Sequence, residues 1–164
     1  MNFQDEPNDN GFALKLARNL IKQSVQKIPP IRLNLILKQV DFKISVQGKD
    51  LGDEDGFSVG TTQIIYNNKK PETRIRYTIA HELGHILMGH NSGFRTIDFS
   101  NKNPDEVAAN KFAAELLVPL QLIKAERLIS LSWSELAKNY WVSKDMMMWR
   151  LKETKLYDKL ANWN

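Results

Sequence analysis

The segment YTIAHELGHILM, residues 77–88, contains the pattern His-Glu-x-x-His, and the elements around it are predicted to complete one site. On an α-helix, His81 and His85 are one turn apart and about 40° apart around the axis, so both imidazoles can reach one metal ion. The carboxylate of Glu82 is about 100° away from His81, placed to contact a water molecule rather than the metal itself. The pattern therefore predicts a helix that carries two metal ligands and a general base.

The composition of the 164 residues indicates one soluble domain in a reducing compartment. The hydrophobic share of 42% is enough for a core, and the lack of cysteine excludes disulfides and thiolate metal sites. The acidic, polar start does not resemble a signal peptide, and no apolar run approaches the roughly 18 residues that span a membrane. A net charge of +4 with intermixed signs does not indicate nucleic-acid binding. We therefore expect a cytoplasmic protein that does not bind membranes.

Hydrophobic periodicity ahead of the motif predicts two helices and a small sheet. The apolar residues of 12–28 recur at helical spacing as far as Pro29-Pro30, and 31–38 form a second, short helix. Three strands then follow, joined as a meander, at 42–46, 57–59 and 62–66. The Gly- and Asp-rich residues 48–56 are expected to form a solvated turn.

Helices make up the rest of the predicted fold. The motif helix spans 72–89 and ends at Gly89, and a polar connection follows it at 91–103. Asn103 is a good N-cap for the next helix, which ends before Pro119. The remaining predicted helices are at 120–131, from Ser132 or Ser134 to 140, and at 143–154.

The predicted class is α+β, with a three-stranded sheet packed on a helical core that carries the His-Glu-x-x-His motif. The motif helix and the helix after Asn103 form the centre of that core. Residues 1–130 are expected to form the zinc peptidase domain, and 131–164 a helical extension packed on it as one structural unit.

Two histidines do not complete a catalytic zinc site, which needs a third protein ligand. His90 is close by, but the pattern that uses a third histidine requires Gly at position 88 and His at 91. The chain has Met88 and Asn91 at these positions, so we exclude His90 as a ligand. We expect His90 to be a surface or helix-terminal residue, with stabilisation of a transition-state oxyanion as its alternative role.

Glu106, which follows His85 by 21 residues, is the preferred third ligand. Its carboxylate lies on the apolar stripe of its own helix, where a buried charge needs a partner such as a metal ion. The alternative is a capping box with Asn103. Asn110, one turn further, can hydrogen-bond a ligand histidine. Glu115, on the opposite side of the helix, is expected at the surface.

Two blocks of the chain, RYTIAHELGHILMGH at 76–90 and EVAANKFAAELLVP at 106–119, resemble the ImmA/IrrE family of metallopeptidases. The resemblance implies a compact gluzincin-like α+β fold. It also implies that the metal ligands are His81, His85 and Glu106. The catalytic base would be Glu82, and Asn110 would hydrogen-bond from outside the ligand set. Zinc is the expected metal, although Mn²⁺ or Fe²⁺ can use the same ligands.

Members of this family commonly cut or inactivate a helix-turn-helix repressor in mobile elements and stress responses. The resemblance therefore implies an intracellular endopeptidase with a protein substrate, in a form without the N-terminal DNA-binding domain of some members. Residues 62–66 are expected to be an edge strand on which an extended substrate pairs. The alternative is an anti-repressor that sequesters its partner without proteolysis.

Residues 134–152 also have the outline of a helix-turn-helix, so a DNA-binding regulator is a further alternative. DNA-binding versions usually hold Gly at the turn position with positive φ, where this chain has Trp141. The second helix offers Met146, Met147, Met148 and Trp149, which suit packing better than contacts with base edges. DNA binding is therefore less favoured than peptidase activity.

Overall fold

The computed structural model describes residues 10–40, 43–90, 100–125 and 131–157. The described elements are, in order, α1 (Asn10–Gln23), α2 (Leu33–Leu37), β1 (Ser45–Lys49), β2 (Gly56–Val59), β3 (Gln63–Asn67), α3 (Glu72–Met88), α4 (Pro104–Leu117), α5 (Leu120–Ala125), α6 (Trp133–Tyr140) and α7 (Lys144–Glu153). The sheet packs on α3, and both α1 and α3 pack along α4. The predicted α+β class with C-terminal helices is confirmed.

The central strand of the sheet is β3, because the strand order is β1-β3-β2. It pairs in parallel with β1 and antiparallel with β2. The predicted meander is therefore wrong, since the consecutive strands β1 and β2 do not pair with each other. The expectation that 62–66 form an edge strand is wrong for the same reason: a neighbouring strand occupies each side of β3.

The loop between β1 and β2 is anchored to the end of β3. The side-chain amide of the buried Asn67 donates hydrogen bonds to two carbonyl groups of the loop, each at 2.8 Å. Asp55 is buried and forms a two-point ion pair with Arg74, at 2.8 and 2.7 Å. The expectation of a solvated turn at 48–56 is wrong at both ends, because its first residues extend β1 and Asp55 lies inside.

Helix α1 ends five residues before the end of its apolar pattern, at Gln23. The backbone turns left-handed at Val25, where φ is 57°, and the Val25 N–H donates to the carbonyl of Lys22. Val25 and Ile28 are consequently 72% and 77% exposed, although the periodicity placed them in the core. Apolar spacing indicates a helical face, but it does not register where the backbone leaves the helix.

The other boundaries agree with the sequence except at the first strand. That strand begins at Ser45 rather than at 42, which lies outside the described residues. Helix α5 occupies the first half of the predicted 120–131 helix, and 126–130 are outside the described residues, as is most of the predicted connection at 91–103.

The caps of the predicted helices are also those of the structure. Gly89, in the left-handed region at φ 73°, ends α3. The side chain of Asn103 accepts a hydrogen bond from the Asp105 N–H at 2.9 Å and begins α4. Ser132 and Ser143 cap α6 and α7 in the same way. Capping therefore places the two central helices locally, before any tertiary contact is considered.

The expectation of a surface position for Glu115 is wrong. Its side chain is fully buried and forms an ion pair with the equally buried guanidinium of Arg150, while Arg18 contacts it from the partly exposed side at 3.0 Å. Helix α4 is covered by α1 on one side and by α3 on another, so almost no face of its second half meets solvent. The residue pattern of α4 indicated one polar face, and it did not predict that other helices cover this face.

Close packing of α3 on α4 depends on Gly84. A β-carbon built at Gly84 would lie 2.8 Å from Cδ1 of Phe112, a fully buried side chain of α4. Because this distance is well inside van der Waals contact, any larger residue must push the two helices apart or displace the ring. The glycine inside the metal-binding motif thus sets the separation of the helices that carry the candidate ligands.

Gly84→Ala is expected to destabilise the protein by up to about 2 kcal/mol, because overpacking costs about 1–3 kcal/mol and the gain in helix propensity returns roughly 1 kcal/mol. Urea unfolding of both proteins measures the difference. When Phe112→Leu is added, the double variant should lose less free energy of unfolding than the two single variants lose together. A strictly additive double variant would show that the two residues do not interact.

No helix in the described part of the chain is both long and apolar enough to cross a bilayer.

Candidate metal centre

Helices α3 and α4 bring His81, His85 and Glu106 together at one point. The Nε2 atoms of the two histidines are 3.0 Å apart. One carboxylate oxygen of Glu106 lies 3.2 Å from His81 Nε2, and the other lies 3.3 Å from His85 Nε2. Both imidazoles are fully buried, and the Glu106 side chain is 12% exposed. The cluster therefore consists of three potential ligands, one of which faces the solvent side.

The distances within this cluster fit a tetrahedral zinc site. Ligand atoms bound at about 2.0–2.1 Å in tetrahedral geometry lie roughly 3.3 Å from one another. The separation of 3.0 Å between the two Nε2 atoms is close to this value, and a different Glu106 oxygen approaches each imidazole at a similar distance, 3.2 and 3.3 Å. Two imidazole nitrogens and one carboxylate also form the donor set of catalytic zinc sites that keep a position for water. The residues present therefore suit a Zn²⁺ ion, and the cluster is a candidate metal site.

Glu106 is held in its anionic form. Partial burial alone would raise the pKa of its carboxyl group, but hydrogen bonds and charge interactions with His81 and His85 outweigh that effect and hold the pKa well below its usual range. A carboxylate that faces both imidazoles is also directed at the metal position rather than back along its helix toward Asn103. The geometry thus supports the ligand interpretation of Glu106 over the capping box.

Glu82 lies in the interior on the helical turn that separates the two histidines. Its side chain is almost completely buried, and its carboxylate does not belong to the cluster of three potential ligands. A carboxylate beside a metal site but outside the ligand set is suited to exchange a proton with water. Both properties suit the general-base role that the sequence indicated for Glu82, which stays a prediction.

His90 directly follows the end of α3, as the helix-terminal alternative predicted, but its side chain does not lie at the surface. Its side chain is 2% exposed, and its Nδ1 lies 2.9 Å from Nδ1 of His85. On the other side, Nε2 of His90 lies 3.6 Å from a carboxylate oxygen of Asp105. The left-handed turn at Gly89 folds the chain back, with the His90 N–H donating to the carbonyl of His85. The glycine was the sequence signal that could have predicted this return.

Asn110 contacts Tyr77, a residue that the sequence did not single out. The Tyr77 hydroxyl donates to the Asn110 side-chain oxygen at 3.1 Å, and the Tyr77 ring centroid lies 6.2 Å from that of His81. Burial raises the pKa of Tyr77, so its hydroxyl stays protonated and can donate. The Nδ1 atom of His81 has no hydrogen-bond partner among the described residues. Asn110 therefore links α3 to α4 beside the cluster without contacting that nitrogen.

The C-terminal helices α6 and α7 meet at Trp141, which adopts φ 54° in place of the expected glycine. The guanidinium of Arg76, on α3, lies 4.7 Å from the centroid of the Trp141 ring and donates to its carbonyl oxygen at 3.1 Å. In α7, Met146 and Met147 are buried in the core, and the partly buried Trp149 packs against it. Most of the side chains that a DNA-reading helix would present are thus used for packing, which argues against DNA recognition through this helix.

Comparison with known proteins agrees with this geometry. A family model described as the IrrE N-terminal-like domain, a peptidase family, matches residues 39–152, well over half of the chain. The matched region includes the sheet, both helices of the candidate metal centre and most of α7. No curated protein matches the chain.

Proposed function

Because the chain belongs to the IrrE N-terminal-like family of metallopeptidases, we propose that it is a zinc-dependent endopeptidase that cleaves or inactivates a transcriptional repressor in the cytoplasm. The observation that carries the proposal is the convergence of His81, His85 and Glu106 at separations suited to zinc. The family match makes the chain a metallopeptidase, and this donor set makes zinc the preferred ion.

The side chains of the centre have distinct tasks in this proposal. Nε2 of His81, Nε2 of His85 and the Glu106 carboxylate would hold Zn²⁺, which supplies Lewis acidity to polarise the scissile carbonyl and acidify water. Glu82 accepts the proton of the attacking water and then delivers it to the leaving amine. Its burial keeps competing solvent away and strengthens its electrostatic interaction with the reacting groups.

The proposed position for an extended substrate is the outer edge of β2. Among the residues that the structure describes, this strand pairs on one side only, with β3, and it contacts α3 directly. A β-carbon on Gly56 would lie 2.6 Å from Cγ2 of Thr78, one helical turn before Glu82. A peptide that paired with the edge of β2 would therefore run beside the metal helix, with main-chain hydrogen bonds holding it in register.

The proposed substrate is a helix-turn-helix repressor encoded beside the gene, as the resemblance to ImmA/IrrE peptidases implies. The experiment incubates the purified, zinc-loaded protein with that purified repressor and identifies the products by mass spectrometry. Discrete fragments are expected, with cleavage suppressed by a chelator and restored by added Zn²⁺. A stable complex with an intact repressor would instead support sequestration. If the repressor is neither cleaved nor bound, it is excluded as the partner.

A further inference from the structure

The geometry of the candidate metal centre determines which nitrogen of His85 carries the proton. Nε2 of His85 faces His81 and Glu106, and a metal ion bound there requires that nitrogen to be unprotonated. A neutral imidazole has one N–H group, so in the metal-loaded protein the proton of His85 is on Nδ1. That N–H points at Nδ1 of His90, 2.9 Å away.

The same reasoning then determines the state of His90. Because its Nδ1 must accept the hydrogen bond from His85, the proton of a neutral His90 lies on Nε2. This N–H faces the carboxylate of Asp105, at 3.6 Å. The three residues thus form one chain of contacts: a hydrogen bond of 2.9 Å joins the two imidazoles, and a charge contact of 3.6 Å joins His90 to an acidic side chain.

We propose that His90 is a positioning residue, which holds His85 in its metal-binding tautomer and ring orientation and is itself oriented by Asp105. The proposal rests on the candidate metal site and does not depend on the identity of the substrate. Metal-ligating histidines usually donate their second N–H to a carboxylate, a carbonyl or water, and that contact fixes the ring. Here an additional imidazole stands between the ligand histidine and the carboxylate.

Two features of the fold support a built contact. His90 has a side chain that is 2% exposed, although it follows the end of a helix where a histidine could extend into solvent. Asp105 and the ligand Glu106 are adjacent in the first turn of α4, so one turn supplies both a metal ligand and the end of the positioning chain. The contact also gives His90 a different task from oxyanion stabilisation, since its two ring nitrogens face His85 and Asp105.

The two ligand histidines differ in their support. Among the described residues, Nδ1 of His81 has no hydrogen-bond partner, whereas Nδ1 of His85 has His90. The ring of His81 is confined by burial and by the neighbouring Tyr77 ring. Loss of His90 should therefore affect one ligand and weaken zinc binding without abolishing it.

The test measures zinc affinity by competition with a fluorescent chelator, for wild type, His90→Leu, His90→Asn and Asp105→Asn. His90→Leu is expected to weaken zinc binding about 10–100-fold, the usual effect of losing such a contact. In His90→Asn, the amide oxygen takes approximately the place of Nδ1 and can still accept the hydrogen bond, so much of the affinity should return. Asp105→Asn should give a smaller loss than His90→Leu. Ile123→Val controls for general destabilisation. Ile123 is buried on α5, which follows the C-terminal end of α4, whereas Asp105 and Glu106 are in the first turn of α4.

A spectroscopic readout separates positioning from packing. In the zinc-loaded protein with ¹⁵N-labelled histidine, His85 should show a protected Nδ1–H that exchanges faster in His90→Leu and is protected again in His90→Asn. Wild-type zinc affinity in His90→Leu would overturn the proposal. So would equal losses in His90→Leu and His90→Asn, and so would a His85 proton on Nε2 in the zinc-loaded protein. If His90→Leu does not fold, the Asn variant and the His85 tautomer still decide. If the variants change zinc affinity as expected but the protein cleaves no repressor, the proposed function is contradicted and the positioning role of His90 is not.

Discussion

Glu82→Gln is expected to lower kcat/KM by about 10²–10⁴-fold, the usual contribution of a positioned general acid–base group. Glutamine has nearly the same size and can remain in the buried position of Glu82, but it cannot accept a proton from water. Zinc affinity should be unchanged, because Glu82 lies outside the three-residue ligand cluster. The measurement uses a quenched-fluorescent peptide that the zinc-loaded wild-type protein cleaves, with bound zinc quantified in each sample.

Two variants define how the result for Glu82 is interpreted. Glu106→Gln should lose activity together with zinc, because it removes the anionic member of the ligand cluster. Glu72→Gln changes an exposed carboxylate in the first turn of the same helix and should leave both quantities as in wild type. A zinc-loaded Glu82→Gln protein with undiminished cleavage would remove Glu82 from the mechanism. Loss of zinc in that variant would instead make Glu82 a contributor to metal binding.

Arg150→Met is expected to destabilise the protein by about 3–5 kcal/mol, the usual effect of removing one partner of a buried ion pair. Arg150 is among the largest fully buried side chains, and its guanidinium contacts Glu115, Glu153 at 2.7 Å and the carbonyl of Val118 at 3.2 Å. Methionine fills most of the volume but leaves Glu115 with Arg18, which is 44% exposed, as its remaining cation. Thermal unfolding should shift downward by roughly 6–20 °C for a protein of this size.

The double variant Glu115→Leu/Arg150→Met tests the physical cause of this loss. Removing both charges leaves no buried carboxylate that has lost its main cation, so the pair of changes should destabilise the protein less than the two single effects added together. Glu115 lies nine residues after Glu106 on α4, a rise of about 13 Å, so zinc affinity should not change in any of these variants. If the losses in free energy of unfolding are strictly additive in the double variant, then lost packing, and not the lost main cation of Glu115, causes the destabilisation.

The elements predicted correctly from the sequence are those that local interactions determine. The helix with His81 and His85 follows from periodicity and from Gly89, and the start of α4 follows from Asn103. That Glu106 joins the candidate cluster needed one further argument, that a carboxylate on an apolar stripe requires a partner. All three depend on residues within a few turns of one another, and the sequence records such spacings directly.

The features predicted wrongly depend on neighbours that are distant in sequence. Whether Glu115 is buried is decided by α1 and α7, which approach α4 from segments 97 and 35 residues away along the chain. The position of β3 between β1 and β2 is likewise a choice among pairings that have similar strand patterns. In each case the local pattern is compatible with more than one environment, and only packing selects between them.

The motif His81-Glu82-x-x-His85 thus determined by itself that the chain would have a helix with two candidate metal ligands on one side, because helical geometry places those side chains on neighbouring faces. The tertiary structure decided how the centre is completed and supported. It set Glu106 against both imidazoles and turned His90 back onto His85, and Gly84 allows α3 and α4 to pack closely enough for these contacts. The physical reason is that helical spacing is a short-range property, whereas the approach of two helices is set by the side chains of both.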